Sequence, residues 1–141
     1  MAIQIKRADV SDAAALQQLN EAFNENGMTV EMIAASLRAG RKEIIFIAYV
    51  DAQPAGFICG AAHQSIWYKS LYGAVEELYV SEGFRRQGIA AALIDALEAE
   101  FRTMGVAAVF ILTGAGNHAA QAAYAKGGYE GYARMEFRKN L

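Results

Sequence analysis

One stretch of the sequence combines residue types that suit the binding of phosphate groups. From Leu78 to Ala90 it reads as the end of a strand, a short loop and the start of a helix. Amide N–H groups in the first turn of a helix have no intrahelical partner, and together with the helix dipole they favour an anion. Gly88 lets a ligand approach this backbone without a Cβ in the way. Arg85 and Arg86 add positive charge beside it. Pyrophosphate is therefore the predicted ligand, and solvated loop arginines before an ordinary helix are the alternative.

Composition and missing motifs exclude several classes of protein. Gly88 is not followed by Lys and Ser or Thr, as a Walker loop requires, and a Gly-x-Gly-x-x-Gly pattern is absent. The 141 residues are 55% hydrophobic and 20% charged, which suits one buried core and argues against intrinsic disorder. The single cysteine, Cys59, excludes an internal disulfide and is expected in the core. The chain contains only two histidines in addition to this cysteine, so no metal site is expected.

Charge and hydropathy limit the partners and the location. A net charge of −2 argues against nucleic acid as a partner. The N-terminus lacks the apolar stretch of a signal peptide. The longest dense apolar run, Ile44 to Val50, is far shorter than the ~20 residues that span a bilayer. We therefore expect a cytoplasmic protein with no membrane partner.

Hydrophobic periodicity predicts one domain, residues 1–141, with ten secondary-structure elements. The predicted strands cover residues 3–5, 43–50, 56–66, 73–80, 106–113 and 129–138, and the predicted helices cover 12–24, 29–39, 88–104 and 117–126. Antiparallel strands come first, and a β-α-β unit with a right-handed crossover then adds parallel pairing. The expected fold is α+β in three layers, with a mixed, mostly antiparallel central sheet and helices on both faces.

Two motifs resemble those of the GCN5-related N-acetyltransferase (GNAT) superfamily. Arg85-Arg86-Gln87-Gly88-Ile89-Ala90 fits the family's acetyl-CoA-binding pattern, Arg/Gln-x-x-Gly-x-Gly/Ala, and follows the strand end Leu78-Tyr79-Val80. The second motif is Asn117-x-x-Ala120-x-x-x-Tyr124-x-Lys126-x-Gly128-Tyr129. The predicted element order matches the family along essentially the whole chain. The resemblance implies the GNAT fold and acetyl-CoA as cosubstrate.

The resemblance also implies a role for each matching residue. The N–H of Val80 should polarise the thioester carbonyl, Asn117 should meet the pantetheine arm, and Tyr124 should lie near the sulfur. Backbone groups of the strand end should pair with pantetheine like an extra strand. The implied cofactor-binding set is Leu78, Tyr79, Val80, Arg85, Arg86, Gln87, Gly88, Ile89, Ala90, Asn117 and Tyr124.

Two glutamates are candidates for the catalytic base. An alkyl ammonium, with a pKa of about 10.4, must lose a proton before it can attack a thioester. Glu76 and Glu77 lie on the strand that leads into the predicted acetyl-CoA site. Alternation should send their side chains to opposite faces, so we expect one of them to reach the acceptor. We favour Glu76, because the small-amine relatives place a carboxylate there, although a bulge near Val80 would invert the choice.

A tyrosine is the candidate acid, and two histidines are weaker candidates. The departing thiolate needs a proton, which a neutral tyrosine hydroxyl can supply. Tyr124 lies seven residues after Asn117, about two helical turns, so the two share a face. A plain core tyrosine is the alternative. His63 lies near the predicted acceptor cleft, but we expect it to be structural, and we expect His118 to be exposed.

The motifs leave the acyl acceptor open. Since Cys59 has no evident activating partner, we expect direct acetyl transfer to a primary amine. The resemblance favours a small-molecule acceptor such as an aminoglycoside, a polyamine or an amino acid. A protein N-terminus or lysine, a non-catalytic acyl-CoA sensor, and homodimer formation stay open. The aromatic residues Trp67, Tyr68 and Tyr72 are expected in loop packing, in the acceptor pocket or at a subunit contact.

Overall fold

The computed structural model describes residues 1–141 as two compact units, Met1–Ile111 and Leu112–Leu141. In chain order the first unit contains β1 (Ile3–Arg7), α1 (Ala13–Asn24), α2 (Val30–Arg38), β2 (Ile44–Val50), β3 (Gln53–His63), β4 (Leu71–Val80), α3 (Ile89–Thr103) and β5 (Val106–Ile111). The second unit contains α4 (His118–Lys126). Short 3-10 turns cover Val10–Asp12 and Glu82–Phe84.

The five strands form one sheet in the order β1-β2-β3-β4-β5. The first four strands pair antiparallel, and β5 pairs parallel with β4 after the crossover through α3. The predicted mixed, mostly antiparallel sheet is therefore confirmed. The β2–β3 hairpin turns at Asp51 and Ala52, which both have positive φ, as tight two-residue hairpins require.

Helix α1 covers one face of this sheet. Leu16 and Leu19 of α1 pack against Ile47 of β2 and against Phe57 and Cys59 of β3, and all five are buried. The three-residue spacing of the leucines turns both toward the sheet. Phe57 and Cys59 share this face because strand side chains alternate.

Helix α3 covers the opposite face. Its fully buried residues are Ile89, Leu93, Leu97 and Phe101. Glycines in the sheet let this helix approach closely. A Cβ on Gly73 would stand 2.7–3.0 Å from the Phe101 ring, and one on Gly60 would stand 3.1 Å from Leu97. The sheet thus carries helices on both faces, as predicted.

The predicted last strand, residues 129–138, is wrong. Residues 129–141 form neither helix nor strand, and their large apolar side chains Tyr132, Met135 and Phe137 are 71–88% exposed. Alternation of apolar and polar residues in a sequence indicates which side chains would be buried if the segment joined a sheet. It does not supply the neighbouring strand whose hydrogen bonds make the segment a strand. Among the helices, none has the length and apolarity needed to cross a membrane.

Candidate active site

The last residues of β4 have a free edge. Strand β5 pairs with β4 only over Leu71–Val75. β4 continues to Val80, and from Glu77 onward it still pairs with β3. On the side that β5 has left, the backbone of residues 76–80 is paired with no other strand. An extended ligand can add to such an edge as an extra strand does.

One hydrogen bond fixes the direction of the backbone groups along this edge. Ser81 N–H donates to the Ala55 carbonyl at 2.8 Å, on the β3 side. Backbone groups in an antiparallel ladder alternate between the two sides of a strand. The N–H groups of Leu78 and Val80 therefore point to the free edge, and that of Tyr79 points to β3. Of the three residues expected to pair with pantetheine, Leu78 and Val80 offer their backbone to that edge.

Arg85 connects the following loop to the end of β4. Its Nε donates to the Val80 carbonyl at 2.8 Å, and its guanidinium lies 6.0 Å from the centre of the Tyr79 ring. The Val80 carbonyl is thereby occupied, which leaves the Val80 N–H as the available polar group at this end of the edge. Since Arg85 is exposed, its remaining N–H groups can still meet an anion.

The N-terminus of α3 has no side-chain cap. Gly88 is the N-cap residue, with a φ of 79°. The first helical hydrogen bond runs from Ala92 N–H to the Gly88 carbonyl, so the amides of residues 89–91 have no helical acceptor. Arg86 also has a positive φ, 63°. Left-handed residues on both sides of Gln87 turn successive amides toward a common side, a geometry that suits the predicted phosphate site.

A bulge in β4 changes the directions of the two candidate bases. Cys59 of β3 is opposite Glu77, but the next residue, Gly60, is opposite Val75. Glu76 is therefore an extra residue with no partner in the register, which defines a β-bulge. A bulge shifts the alternation by one residue, so two consecutive side chains can share a face.

Side-chain contacts place both glutamates on the face that α1 covers. Glu77 accepts a hydrogen bond from Asn24 Nδ2 of α1 at 3.1 Å. Glu76 Oε1 lies 3.6 Å from His63 Nε2. His63 is four residues after Cys59, and an even spacing on β3 keeps both on the α1 side. The expectation that Glu76 and Glu77 face opposite sides is therefore wrong, and the bulge is the reason.

A cavity of about 340 Å³ opens between α1, α2 and this face of the sheet. Its apolar wall includes Leu16, Ile33, Leu37, Ile45 and Phe57. Its polar residues include Asn20, Glu43, Cys59 and Glu77. Mostly apolar walls with a few polar groups, and a volume of this order, are typical of small-molecule sites.

The two carboxylates of the cavity have no ion-pair partner within the chain. Neither Glu43 nor Glu77 forms an ion pair. Burial, hydrogen bonding to Glu43 and the negative charges of Glu43 and Glu77 raise the pKa of the Cys59 thiol, so the thiol stays neutral. Arg7, at the rim, is engaged by Glu100 at 3.3 Å. Arg41 also lines the cavity and forms no ion pair, so a cation that enters would meet two carboxylates and one guanidinium.

The second unit holds the other two predicted site residues. Asn117 caps α4, because its side-chain oxygen accepts a hydrogen bond from Ala120 N–H at 3.1 Å. Tyr124 lies on the same helix, with its ring centre 6.3 Å from that of Tyr129 in an edge-to-face contact. Burial raises the pKa of the Tyr124 hydroxyl, which keeps the phenol protonated. A neutral phenol is the form that an acid catalyst needs.

Tertiary contacts add residues that the sequence does not single out. Asn24 and Glu43 lie far from the motifs along the chain and meet Glu77 or Cys59 only through the fold. No sequence signal marks them. The sequence predicts a structural role for His63, yet this residue contacts a candidate base. Trp67 is 82% exposed, so the expected loop packing does not apply to it.

Comparison with known families and solved structures shows similarity to acetyltransferases. The family model described as Acetyltransferase (GNAT) family matches residues 13–129. An aminoglycoside acetyltransferase from an uncultured soil metagenomic sample, meta-AAC0020, is similar with a TM-score of 0.85 and 20% identity, over 99% of this chain and 96% of that chain. AAC(6')-Iy, solved with the bisubstrate analogue CoA-S-monomethyl-acetylneamine, gives a TM-score of 0.87 and 18% identity, over 100% and 99% of the two chains.

The similar structures include a protein acetyltransferase. The ribosomal-protein-alanine N-acetyltransferase of Brucella melitensis biovar Abortus 2308 gives a TM-score of 0.81 and 20% identity, over 99% of this chain and 100% of that chain. No curated protein matches the sequence. At identities this low, the similarity establishes the fold and leaves the acceptor open.

Proposed function

Because the chain belongs to the acetyltransferase (GNAT) family, we propose that it transfers the acetyl group of acetyl-CoA directly to a primary amine of a small cationic molecule. The observation that carries this proposal is the free edge of β4, which is followed, after the loop of residues 81–87, by the uncapped N-terminus of α3. A strand edge can pair with the amide-bearing pantetheine arm, and a helix N-terminus can bind a pyrophosphate. Acetyl-CoA contains both groups in one molecule and supplies the activated acetyl group.

The proposed binding roles follow the direction of each backbone group. The amides of residues 86–90 would bind the pyrophosphate, with the guanidinium groups of Arg85 and Arg86 beside it. Leu78 and Val80 would pair with pantetheine through the groups that face the free edge. The Val80 N–H would donate to the thioester oxygen, where negative charge develops during attack. Asn117 would contact the pantetheine arm through its side-chain amide.

The proposed acceptor is a small amine with at least two positive charges, and the cavity supports this. Ile45, Cys59 and Glu77 lie in one row across three neighbouring strands, and Glu43 is two residues before Ile45. The Cα atoms of Glu43 and Glu77 are therefore roughly 12 Å apart, with both carboxylates near Cys59. Glu77 would hold the ammonium that reacts, and Glu43 would hold a second one.

The proton steps are assigned to three side chains. Glu76 would accept the proton that the ammonium must lose before attack, through a water molecule. Glu77 would anchor the acceptor beside it. Tyr124, kept protonated by its raised pKa, would donate a proton to the departing thiolate. The neutral thiol of Cys59 argues against an acyl-enzyme, since the thiolate is the nucleophilic form.

Release of CoA thiol from acetyl-CoA, measured with matched acceptors, tests this function. We expect 1,4-diaminobutane and aminoglycosides to be acetylated with a lower KM than butylamine, which has the same carbon chain as the diamine but one ammonium. Glu43→Gln should remove the advantage of the diamine and leave the affinity for acetyl-CoA unchanged. Preferred acetylation of a peptide N-terminus or lysine would instead favour a protein acetyltransferase. Acetyl-CoA binding without turnover on any amine would favour a sensor.

Three further proposals concern the whole chain. We propose that residues 1–141 act as one acetyltransferase domain in the cytoplasm. We also propose a homodimer, because the C-terminal segment exposes the large apolar side chains of Tyr132, Met135 and Phe137. Light scattering would give the mass in solution, and replacing Met135 and Phe137 by Ser should shift that mass toward the monomer.

A further inference from the structure

We infer that His63 is a proton-relay residue that serves the acceptor through Glu76, an inference that rests on the acetyl transfer proposed above. The observation behind it is the β-bulge, which turns Glu76 onto the face that carries Glu77 and His63. On that face Glu76 lies beside a cavity residue on one side and an imidazole on the other.

Aromatic contacts hold the imidazole in place. The His63 ring stacks on Tyr72 of β4, with 5.3 Å between ring centres and 29° between planes. Tyr72 in turn meets the edge of Phe110 of β5 at 5.8 Å. The side chains of His63 and Glu76 are 42% and 51% exposed. The ring is thus supported by aromatic residues while the side chain stays partly open to water.

Few charged groups face this ring. Glu76 is the one ion-pair partner of His63. The other side chain of β4 that contacts the ring is Tyr72, which stacks on it. Phe110 of β5 is apolar. The pairing of β2 with β3 stops at Ile44 and Gly60, so the nearest charges on that side are in the preceding loop, Arg41, Lys42 and Glu43. None of these forms an ion pair with His63, and Glu77 is turned to Asn24.

The proton transfers balance without any further reactant. The acceptor ammonium loses its proton through water to the Glu76 carboxylate, and the carboxylic acid passes it to the lone pair of neutral His63 Nε2. The imidazolium then releases the proton to solvent. The 3.6 Å between the two atoms exceeds a hydrogen bond, and catalytic contacts of this kind commonly shorten when substrate binds. An imidazole suits this step because its ordinary charge change lies between about pH 5 and 8.

A purely structural role makes a different prediction. An ion pair exposed to this degree contributes little to stability. If His63 only stacks on Tyr72, another aromatic ring should replace it. If it relays a proton, a ring without nitrogens should fail.

The test compares kcat of the parent with those of His63→Gln and His63→Phe from pH 5 to 9, at saturating acetyl-CoA and acceptor. The ratio of parent to variant kcat cancels the acceptor's own ionisation. We expect this ratio to be at least about 10 at pH 8 for both variants and to fall as the pH is lowered, because an imidazolium has no lone pair with which to accept the proton. His118→Gln removes the only other imidazole in the chain and should give a ratio near 1 throughout.

A ratio for His63→Gln that does not change with pH, whatever its size, overturns the relay. Parent-like kcat in His63→Phe overturns it as well, because stacking alone would then suffice. Thermal unfolding of each variant confirms that the protein compared is folded. A parent that acetylates no amine removes the proposed function and the relay together, whereas an active parent with a flat ratio removes the relay alone.

Discussion

Replacing Gly88 by Ala separates the phosphate-binding role of this residue from its backbone strain. Gly88 has a φ of 79°, and a Cβ built on it meets no atom within 4 Å. The change in stability is therefore the cost of a left-handed alanine, roughly 1–2 kcal/mol. The new methyl group occupies the open space in front of the amides that would bind pyrophosphate. Losing one charge-assisted hydrogen bond there costs about 1.5–3 kcal/mol, which is roughly a 10- to 150-fold weaker Kd for acetyl-CoA.

The chain offers a matched control at the other end of the same helix. Gly105 follows α3 and has a φ of 82°, and a Cβ built on it also meets no atom within 4 Å. Gly105→Ala should lower Tm by about as much as Gly88→Ala but leave the calorimetric Kd for acetyl-CoA unchanged. Parent-like affinity in Gly88→Ala, or equal weakening in both variants, would refute the assignment of the phosphate site.

Two other substitutions test the acid and the packing of the sheet. Tyr124→Phe should lower kcat about 100-fold at unchanged acetyl-CoA affinity. Because burial raises the pKa of Tyr124 above its ordinary value of about 10, any alkaline loss of kcat should come at a higher pH than the ionisation of a free phenol would give. Parent-like turnover in this variant would contradict the acid role. Gly60→Ala should lower the free energy of unfolding by about 1–3 kcal/mol, since its Cβ would collide with the Ala74 carbonyl oxygen. Gly83 has open space around it, so Gly83→Ala should leave the free energy of unfolding measured by chemical denaturation unchanged.

Local patterns predicted most of the fold. The helix predicted at 88–104 is α3, Ile89–Thr103, because its apolar spacing and the glycines at both ends are all local signals. The predicted last strand at 129–138 rests on alternation alone, and alternation carries no information about a pairing partner. Strand formation depends on a neighbouring strand that can lie anywhere in the chain, so a strand predicted from its own sequence alone is the element most often wrong.

The candidate site also contains residues that the local sequence predicts and residues that only the fold brings together. Leu78, Val80 and Gly88 could be identified from sequence because one short stretch carries the strand end, the loop and the helix start. Glu43 and Asn24 could not, because each meets the site through a contact between elements that are distant along the chain. Linear motifs describe binding to a cofactor that follows the backbone, whereas an acceptor cavity is lined by side chains from several elements.

The bulge at Glu76 links these two parts of the site. A bulge strengthens local twist and bends the strand that carries it. Glu76 is also the first residue of β4 beyond the pairing with β5, which ends at Val75. The extra residue therefore coincides with the start of the free edge and with the shift that brings both glutamates to the acceptor face. Removing it would restore regular alternation and leave Glu77, opposite Cys59, as the one carboxylate at this point of the face. The opening that would admit pantetheine begins where β5 ends, at Ile111, and the one extra residue at the same level places a second carboxylate on the face that would receive the amine.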